Sequence, residues 1–301
     1  MARETSTVVD GFTFTEAPRW HEGRLWFSDL YTYQVLSVAE DGSDLKLEAE
    51  IPGQPAGMDW LPDGRLLVVS MLDRKVMRRE HDGRLVVHAD LSGSVPWTLN
   101  DLVADTAGRA YVGNFGFDLF GDDPLTPARL TRVDPDGSSV EAADDLWFPN
   151  GSVVTPVGDL LVNESFGNRI SAFRIAADGS LAGRRTWARF GPLPPRTDLD
   201  AAARLIVLGC DGAALDAAGA LWVADCLHER VVRVLEGGEI TDDIRLGTGV
   251  YGCALGGSAG RTLFLCVAPD FDRERRRETR ESSVLAIPVG IPAPAQPQLA
   301  S

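Results

Sequence analysis

A pattern of two apolar runs joined by a glycine turn recurs six times along the 301-residue chain. In the clearest copy, residues 211–225, the runs 213–215 and 221–224 flank the turn Ala217-Ala218-Gly219. Glycine supplies a turn conformation that other residues resist, so each copy predicts a β-hairpin. The other five copies occupy residues 16–29, 56–70, 100–114, 150–164 and 252–268.

A second turn follows five of the copies, which adds another strand pair to each. These turns are Asp41-Gly42, Asp82-Gly83, Asp136-Gly137, Asp178-Gly179 and Gly237-Gly238. Each copy therefore contains about four short antiparallel strands, which is the content of one propeller blade. The sequence predicts an all-β fold, a six-bladed β-propeller that residues 1–301 form as a single domain.

The sixth copy has no such second hairpin after residues 283–288 and continues into a Pro-rich tail, residues 291–301. Residues 7–12 can form one short strand before the first copy begins. We expect this amino-terminal strand to complete the last blade, which would close the ring and leave no free sheet edge there.

Charge and hydropathy narrow the classes of partner. The 29 basic and 44 acidic residues give a formal charge of −15, which argues against binding to nucleic acid. The amino terminus lacks the apolar run of a signal peptide, and no segment is long and apolar enough to span a bilayer. We therefore expect a cytoplasmic protein with no membrane partner, while the sequence carries no signal for its oligomeric state.

The four cysteines give no sign of a disulfide framework or a zinc site. They lie in or beside apolar runs and lack CxxC spacing, which favours reduced, buried thiols. These residues are Cys210, Cys226, Cys253 and Cys266.

Oxygen-bearing side chains open four of the six first strands: Glu16, Asn100, Asn150 and Asp211. The other two copies open with Ala56 and Gly252. First strands line the axis of a propeller, so these side chains should converge at one mouth of the channel. Carboxylate and amide oxygens suit hard divalent cations, and without an ion one of two adjacent carboxylates would tend to hold a proton. A local role remains the alternative, because Asn150-Gly151 and Asp211-Gly212 are also typical of ordinary turns.

Three insertions fall in loops that should reach the same mouth: residues 115–129, 190–208 and 269–283. They predict a covered pocket in place of an open pore, although surface insertions are also tolerated at little cost. Residues 198–205 can form one or two helical turns. Apolar side chains are expected around the mouth, unless they pack only between loops: Tyr31, Met71, Trp97, Phe115, Phe117 and Phe166.

Four motifs with their order and spacing give the chain a family resemblance. They are Glu16-Ala17-Pro18-Arg19-Trp20, Leu99-Asn100-Asp101, Pro149-Asn150-Gly151 and Asp211-Gly212. Over residues 12–289 the chain resembles the family of senescence marker protein 30 (regucalcin), gluconolactonases and related calcium-dependent lactonases. The resemblance implies a metal-dependent lactonase whose partner is a small lactone.

The resemblance also implies site residues. Glu16, Asn150 and Asp211 would hold one divalent ion, with calcium expected first and magnesium, manganese, zinc or iron as alternatives. Asp211 would also be the catalytic base that assists water attack on the lactone carbonyl. Asn100 would contact the substrate or a metal-bound water.

Further substrate contacts are expected at Asn114, Phe115 and His228. His228 could donate a proton to the leaving oxygen, and a solvated loop histidine is the alternative. Thr98 stands where regucalcin-like members carry an arginine that holds a sugar acid. With the apolar mouth, this favours a more apolar lactone or ester over an aldonolactone.

Other functions are compatible with the same residues. A phosphotriesterase-type or other ester hydrolase could use an equivalent site, as could a non-catalytic calcium-binding or protein-interaction propeller. Against a scaffold of the WD type, the chain contains no Trp-Asp dipeptide. A non-hydrolytic enzyme of the strictosidine-synthase type is the remaining alternative.

Overall fold

The computed structural model describes residues 4–121 and 123–295, in which strands form six separate four-stranded antiparallel sheets. The chain begins with β1 (Ser6–Phe12). The first blade contains β2 (Thr15–His21), β3 (Arg24–Asp29), β4 (Gln34–Val38) and β5 (Lys46–Glu50). The second contains β6 (Pro55–Trp60), β7 (Leu66–Ser70), β8 (Lys75–Arg79) and β9 (Leu85–Asp90). The third contains β10 (Leu99–Ala104), β11 (Ala110–Asn114), β12 (Ala128–Val133) and β13 (Ser139–Leu146).

The remaining blades follow the same order. The fourth contains β14 (Pro149–Val154), β15 (Asp159–Glu164), β16 (Arg169–Ile175) and β17 (Leu181–Arg189). The fifth contains β18 (Cys210–Leu215), β19 (Leu221–Asp225), β20 (Arg230–Val234) and β21 (Ile240–Arg245). The sixth contains β22 (Gly249–Gly256), β23 (Thr262–Ala268) and β24 (Ser282–Pro288). Two short helices, α1 (Leu199–Ala203) and α2 (Arg273–Glu278), lie in loops. The predicted six-bladed propeller is confirmed.

The amino-terminal strand closes the ring as predicted. β1 pairs antiparallel with β24, so the sheet order of the sixth blade is β1-β24-β23-β22. Phe12 at the end of β1 packs edge-on against Phe27 of the first blade, with ring centroids 5.1 Å apart. The tail begins against the ring, since Ala217 N–H donates to Pro292 O at 2.8 Å. Residues 296–301 of the predicted tail lie outside the described residues.

Position within a blade decides how apolar a strand is. The second strands β7, β11, β15 and β19 are buried along their whole length, because blades pack face to face on both sides of them. The fourth strands lie at the perimeter, and β13 and β21 are largely exposed. This arrangement explains why the apolar runs that reveal the repeat come from the inner half of each blade.

The first strands pack against one another around the axis, and glycine permits their close approach. A Cβ on Gly151 would lie 2.5 Å from Asp211 O, and a Cβ on Gly212 would lie 2.7 Å from the Cα of Gly252. Both glycines lie inside strands β14 and β18. Asn150-Gly151 and Asp211-Gly212 are therefore strand residues at the hub, not the ordinary turns that were the alternative.

Two further expectations concern thiols and membranes. All four cysteines are free, with Cys226 half-buried and the other three buried. Neither helix in the described part of the chain has the length and hydropathy required to cross a bilayer.

Candidate functional site

Four of the six first strands contain an irregularity at the position that the repeat singled out. Strand pairing skips two residues after Leu99, Pro149 and Cys210, which leaves Asn100, Asn150 and Asp211 outside the regular ladder. Such bulges redirect side chains, and here they face the axis.

Two copies differ at this position. Glu16 is paired with Ser28, and the irregularity in β2 follows it, with Ala17 in a left-handed conformation at φ 49°. In the sixth blade, pairing shifts between Val250 and Gly252, which places Tyr251 at the equivalent position. The predicted assignment of Gly252 was wrong by one residue, because the sixth hairpin reaches its turn glycine one residue later than the others.

These residues form the floor of a pocket at the hub. Glu16, Asn100, Asp101, Asn150 and Asp211 all line it. The cavity above this floor has a volume of about 120 Å³ and is open to solvent at its mouth. The walls are mainly apolar and come from five blades and two loops: Phe14, Leu30, Tyr31, Met71, Phe115, Leu119, Phe120, Phe148, Phe166, Leu227, Tyr251 and Phe271.

Burial opposes ionisation of both carboxyls at the floor. The pKa of Glu16 is raised to about 8, chiefly by burial and also by the charge of Asp101, whereas a hydrogen bond from the Ala17 N–H and the charge of Arg19 oppose the shift. Burial also raises the pKa of Asp211 well above its usual range, with repulsion from Glu16 and Asp101 adding to it. The two carboxyls therefore cannot both carry full charge without a compensating cation.

Hydrogen bonds orient the amides and the backbone around Asp211. Asn150 Nδ2 donates to Ser165 Oγ at 3.1 Å, and Ser165 Oγ donates to Cys210 O at 2.8 Å. Asn163 Nδ2 donates to Asp211 O at 2.5 Å. Asp211 Oδ1 and Asn100 Nδ2 are buried but have no hydrogen-bond partner in the described part of the chain. An acceptor and a donor thus stay available for a ligand.

The donor set fits a hard cation that accepts amide oxygen. Among residues 4–121 and 123–295 there is no group of three or more His, Cys, Asp or Glu side chains that could hold a metal ion. The floor offers two carboxylates and the Asn150 amide instead, and its orphaned Asp211 Oδ1 lacks a positive partner. Oxygen ligands of this type suit calcium and magnesium better than zinc.

An ion pair lies beneath the floor. Arg19 Nη2 donates to Asp101 Oδ1 at 2.8 Å and to Leu102 O at 3.0 Å. Asp101 is buried, and this arginine offsets part of the repulsion that its carboxylate exerts on Glu16 and Asp211.

Buried carboxylates also hold the segments that lead into the three predicted ligands. Asp29 accepts from Phe14 N at 2.9 Å, Glu164 from Trp147 N at 2.9 Å, and Asp225 from Gly209 N at 3.0 Å. Each ends the second strand of its blade and pairs with the residue directly before Glu16, Asn150 or Asp211. The equivalent residues of the second and third blades, Ser70 and Asn114, carry no charge. Carboxylates at this position thus coincide with the blades that supply the predicted ligands.

The structure places the other predicted contacts differently. Phe115 lines the pocket and stacks on Phe148, with ring centroids 4.6 Å apart. Asn114 holds the base of a loop, because its Nδ2 donates to Arg129 O at 2.6 Å and its Oδ1 accepts from Gly116 N. His228 Nδ1 lies 2.8 Å from Asp225 Oδ1. Neither Asn114 nor His228 is among the described residues that line the pocket at the hub.

Most of the predicted apolar mouth is found at the pocket. Tyr31, Met71, Phe115 and Phe166 line it, whereas Trp97 lines a separate groove beside the third blade. Phe117 is buried and packs behind the wall, with its ring centroid 6.0 Å from that of Phe148.

Several residues that line the pocket were not predicted from the sequence: Phe14, Asp101, Phe148, Ser165, Cys226 and Tyr251. Asp101 and Phe148 adjoin Asn100 and Pro149 of the recognised motifs, so adjacency could have found them. Tyr251 required the correct register in the sixth copy.

Two of the three long loops reach the pocket. Loop 115–129 contributes Leu119 and Phe120, and loop 269–283 contributes Phe271. Loop 190–208 contains the expected helical turn, α1, and supports loop 115–129 because Thr197 O accepts from Leu125 N at 2.9 Å.

Comparison with known proteins gives concordant matches. The profile of the family described as SMP-30/Gluconolactonase/LRE-like region matches residues 14–269. Pentonolactonase XacC from Haloferax volcanii is 29% identical over 224 residues, which cover 73% of this chain and 69% of XacC. Regucalcin from Agrobacterium tumefaciens, described as a calcium-binding protein, is 16% identical with a TM-score of 0.78, covering 100% of this chain and 99% of that one. A gluconolactonase from Xanthomonas campestris is 24% identical with a TM-score of 0.72, covering 96% and 90%. The two structural likenesses establish a common fold.

Proposed function

Because the chain belongs to the SMP-30/gluconolactonase/LRE-like family, we propose that it is a metal-dependent hydrolase that opens a small lactone ring. Relatives named pentonolactonase and gluconolactonase support this class of substrate. The observation that carries the proposal is the pair of carboxyls, Asp211 buried and Glu16 partly buried, beside two amides at the floor of the pocket at the hub.

Glu16, Asn150 and Asp211 are the residues proposed to hold the ion. When bound, a divalent cation polarises a carbonyl and lowers the pKa of water. Its charge would also offset the repulsion that keeps Glu16 and Asp211 from ionising together. Oxygen donors favour calcium, and magnesium, manganese, zinc and iron are the other candidates to test.

The side chains have separate roles in the proposed reaction. Asn100 Nδ2, a buried donor without a partner, hydrogen-bonds an oxygen of the substrate. Asp211 accepts a proton as a water oxygen bonds to the lactone carbonyl carbon. The bond from that carbon to the ring oxygen then breaks, and Asp211 returns the proton to the ring oxygen. The product is one hydroxy acid, and these reaction steps do not require His228.

The test incubates chelator-treated protein with a panel of lactones, before and after addition of each candidate metal. Hydrolysis is measured as the release of acid. Activity should require a metal, and Asp211→Asn should lower kcat/KM by about a thousandfold while the circular dichroism spectrum is unchanged. Asp136→Asn, in an exposed outer turn, is the matched control and should retain activity. Turnover that survives both chelation and Asp211→Asn would overturn the proposal, and hydrolysis confined to phosphotriesters would support the alternative hydrolase.

A further inference from the structure

The walls of the pocket are mainly apolar and aromatic, whereas its floor is polar. Phe14, Phe148 and Phe166 are each about 6% exposed and belong to the largest apolar cluster of the protein. Phe115 and Phe148 stack with an interplanar angle of 15°, and Phe166 meets Phe148 edge-on at 5.6 Å. None of the described residues that line the pocket is Lys, Arg or His. A ligand above the floor therefore meets flat aromatic surface.

Two aromatic side chains at the rim are exposed although they are large and apolar. Phe120 is 50% exposed and Phe271 is 43% exposed, and both line the pocket from different loops. Arg273 of α2 lies over the Phe120 ring at 5.5 Å, and Arg277 lies over the Tyr31 ring at 5.6 Å. The rim thus offers apolar surface that a bound ligand would remove from water.

Two polar side chains near the walls, Ser165 and Gln54, are already engaged. Ser165 Oγ both donates to Cys210 O and accepts from Asn150 Nδ2. Gln54 is buried, with its Nε2 3.4 Å from Met71 Sδ. Hydroxyl groups pressed against the phenylalanine walls would lose hydrogen bonds to water without replacement, which disfavours their binding.

From the contrast between the polar floor and the aromatic walls, we infer that the substrate carries an apolar substituent on its lactone ring, in place of the several hydroxyls of a sugar lactone. The inference deepens the proposed lactonase function and rests on it. The ester group lies at the polar floor near Asp211 and Asn100, and the substituent extends along the aromatic walls to Phe120 and Phe271. Substrate selection then follows from burial of the substituent, since the same floor serves every lactone.

The test compares δ-decalactone, which carries an alkyl chain, with unsubstituted δ-valerolactone and with glucono-δ-lactone. Each kcat/KM of the metal-loaded enzyme is divided by the rate of spontaneous hydrolysis of that lactone at the same pH. We expect δ-decalactone to exceed glucono-δ-lactone by about a hundredfold or more. An equal or greater value for glucono-δ-lactone would overturn the inference and leave the lactonase function intact. Failure to hydrolyse any lactone would overturn both.

Variants at the rim separate selection from folding. Phe120→Ala and Phe271→Ala should each lower kcat/KM for δ-decalactone about fivefold and leave that for δ-valerolactone within about twofold. Val157→Ala truncates a more exposed apolar side chain, 70% exposed on the turn after β14, and should change neither value. Equal losses with both lactones in the rim variants would contradict a role in selection.

Discussion

The carboxyl groups of Glu16 and Asp211 lie at the hub, where burial opposes their ionisation. Neither finds a full positive partner there, because Arg19 is already paired with Asp101. A carboxyl group in this environment is either protonated or paired with a cation. Carboxyl groups with such shifted pKa values are often found in the active sites of enzymes. The ionisation of these two side chains should therefore be linked to ion binding.

The pKa of Glu16 gives the direction of the pH dependence. Its pKa is raised from 4.5 to about 8 in the metal-free protein, so a cation must displace the proton that Glu16 retains at neutral pH. Calcium affinity should rise with pH up to about 8. Titration calorimetry at several pH values measures this, and Glu16→Gln should bind more weakly with a smaller pH dependence.

The same shift predicts a stability trend in the metal-free protein. The folded state keeps the Glu16 proton that the unfolded chain releases above about 4.5, so the free energy of unfolding should fall as the pH rises from about 4.5 to about 8. Denaturant melts in the presence of a chelator give this free energy. If wild type and Glu16→Gln have identical slopes over this range, the pKa shift assigned to Glu16 is wrong.

The repeat register was sufficient to bring Glu16, Asn150 and Asp211 together, because equivalent positions in a ring must converge. The register could not reveal Cys226, whose thiol reaches Asp211 from the loop after β19. The repeat register also could not show that His228 is hydrogen-bonded to Asp225, because the direction of a side chain within a loop depends on its local contacts.

The second strands of three blades end in buried carboxylates that support the entry to the first strands. Asp225 illustrates the arrangement, because it accepts from Gly209 N and from Arg230 Nε at 2.7 Å. Gly209 lies two residues before Asp211, so a change in this bond would move the strand that carries the predicted ligand. Groups that orient ligands in this way influence ion affinity without touching the ion.

Asp225→Asn tests this positioning role. Asn retains the size of the side chain but replaces one acceptor oxygen with a donor that faces Arg230, so Asp211 should be misoriented. We expect calcium affinity and kcat/KM to fall about tenfold to a hundredfold. Ser70→Ala makes the matched change in the second blade, where Ala56 occupies the hub position, and should leave both values unchanged. A loss of thermal stability without a loss of ion affinity would mean that Asp225 is only structural.

The strand pair β1–β24 is the element on which closure depends. Deletion of residues 1–12 would expose the edge of β24 and the Phe27 surface that Phe12 covers. We expect a decrease in Tm of at least about 10 °C together with aggregation. Removal of residues 1–4 alone, which precede β1, is the control, and an unchanged Tm in the longer deletion would contradict the closure.

The repeat pattern of the sequence did not predict helix α2. Its sequence is RERRRE, without apolar periodicity, and only its N-cap, Asp272, which accepts from Arg275 N at 3.0 Å, marks its start. Helix α1 was foreseen because an alanine-rich segment follows Asp198, its N-cap. Both helices lie in insertions, where the repeat gives no register to follow.

The ring joins distant parts of the chain through its centre. An ion held by Glu16, Asn150 and Asp211 would connect the first, fourth and fifth blades. Binding to the folded state alone should stabilise the protein by about 2.7 kcal/mol at a hundredfold excess over Kd, so Tm should rise with calcium concentration. Differential scanning calorimetry measures the rise, which Asp211→Asn should reduce; a Tm independent of every candidate metal would argue against the site.

The pairing of β1 with β24 has a consequence for synthesis. β1 is translated long before β24 and can pair with it only after Ser282–Pro288 has been made, so the sixth blade cannot form before that point. A chain that stops before β24 would retain an unsatisfied sheet edge, the kind of surface that promotes aggregation.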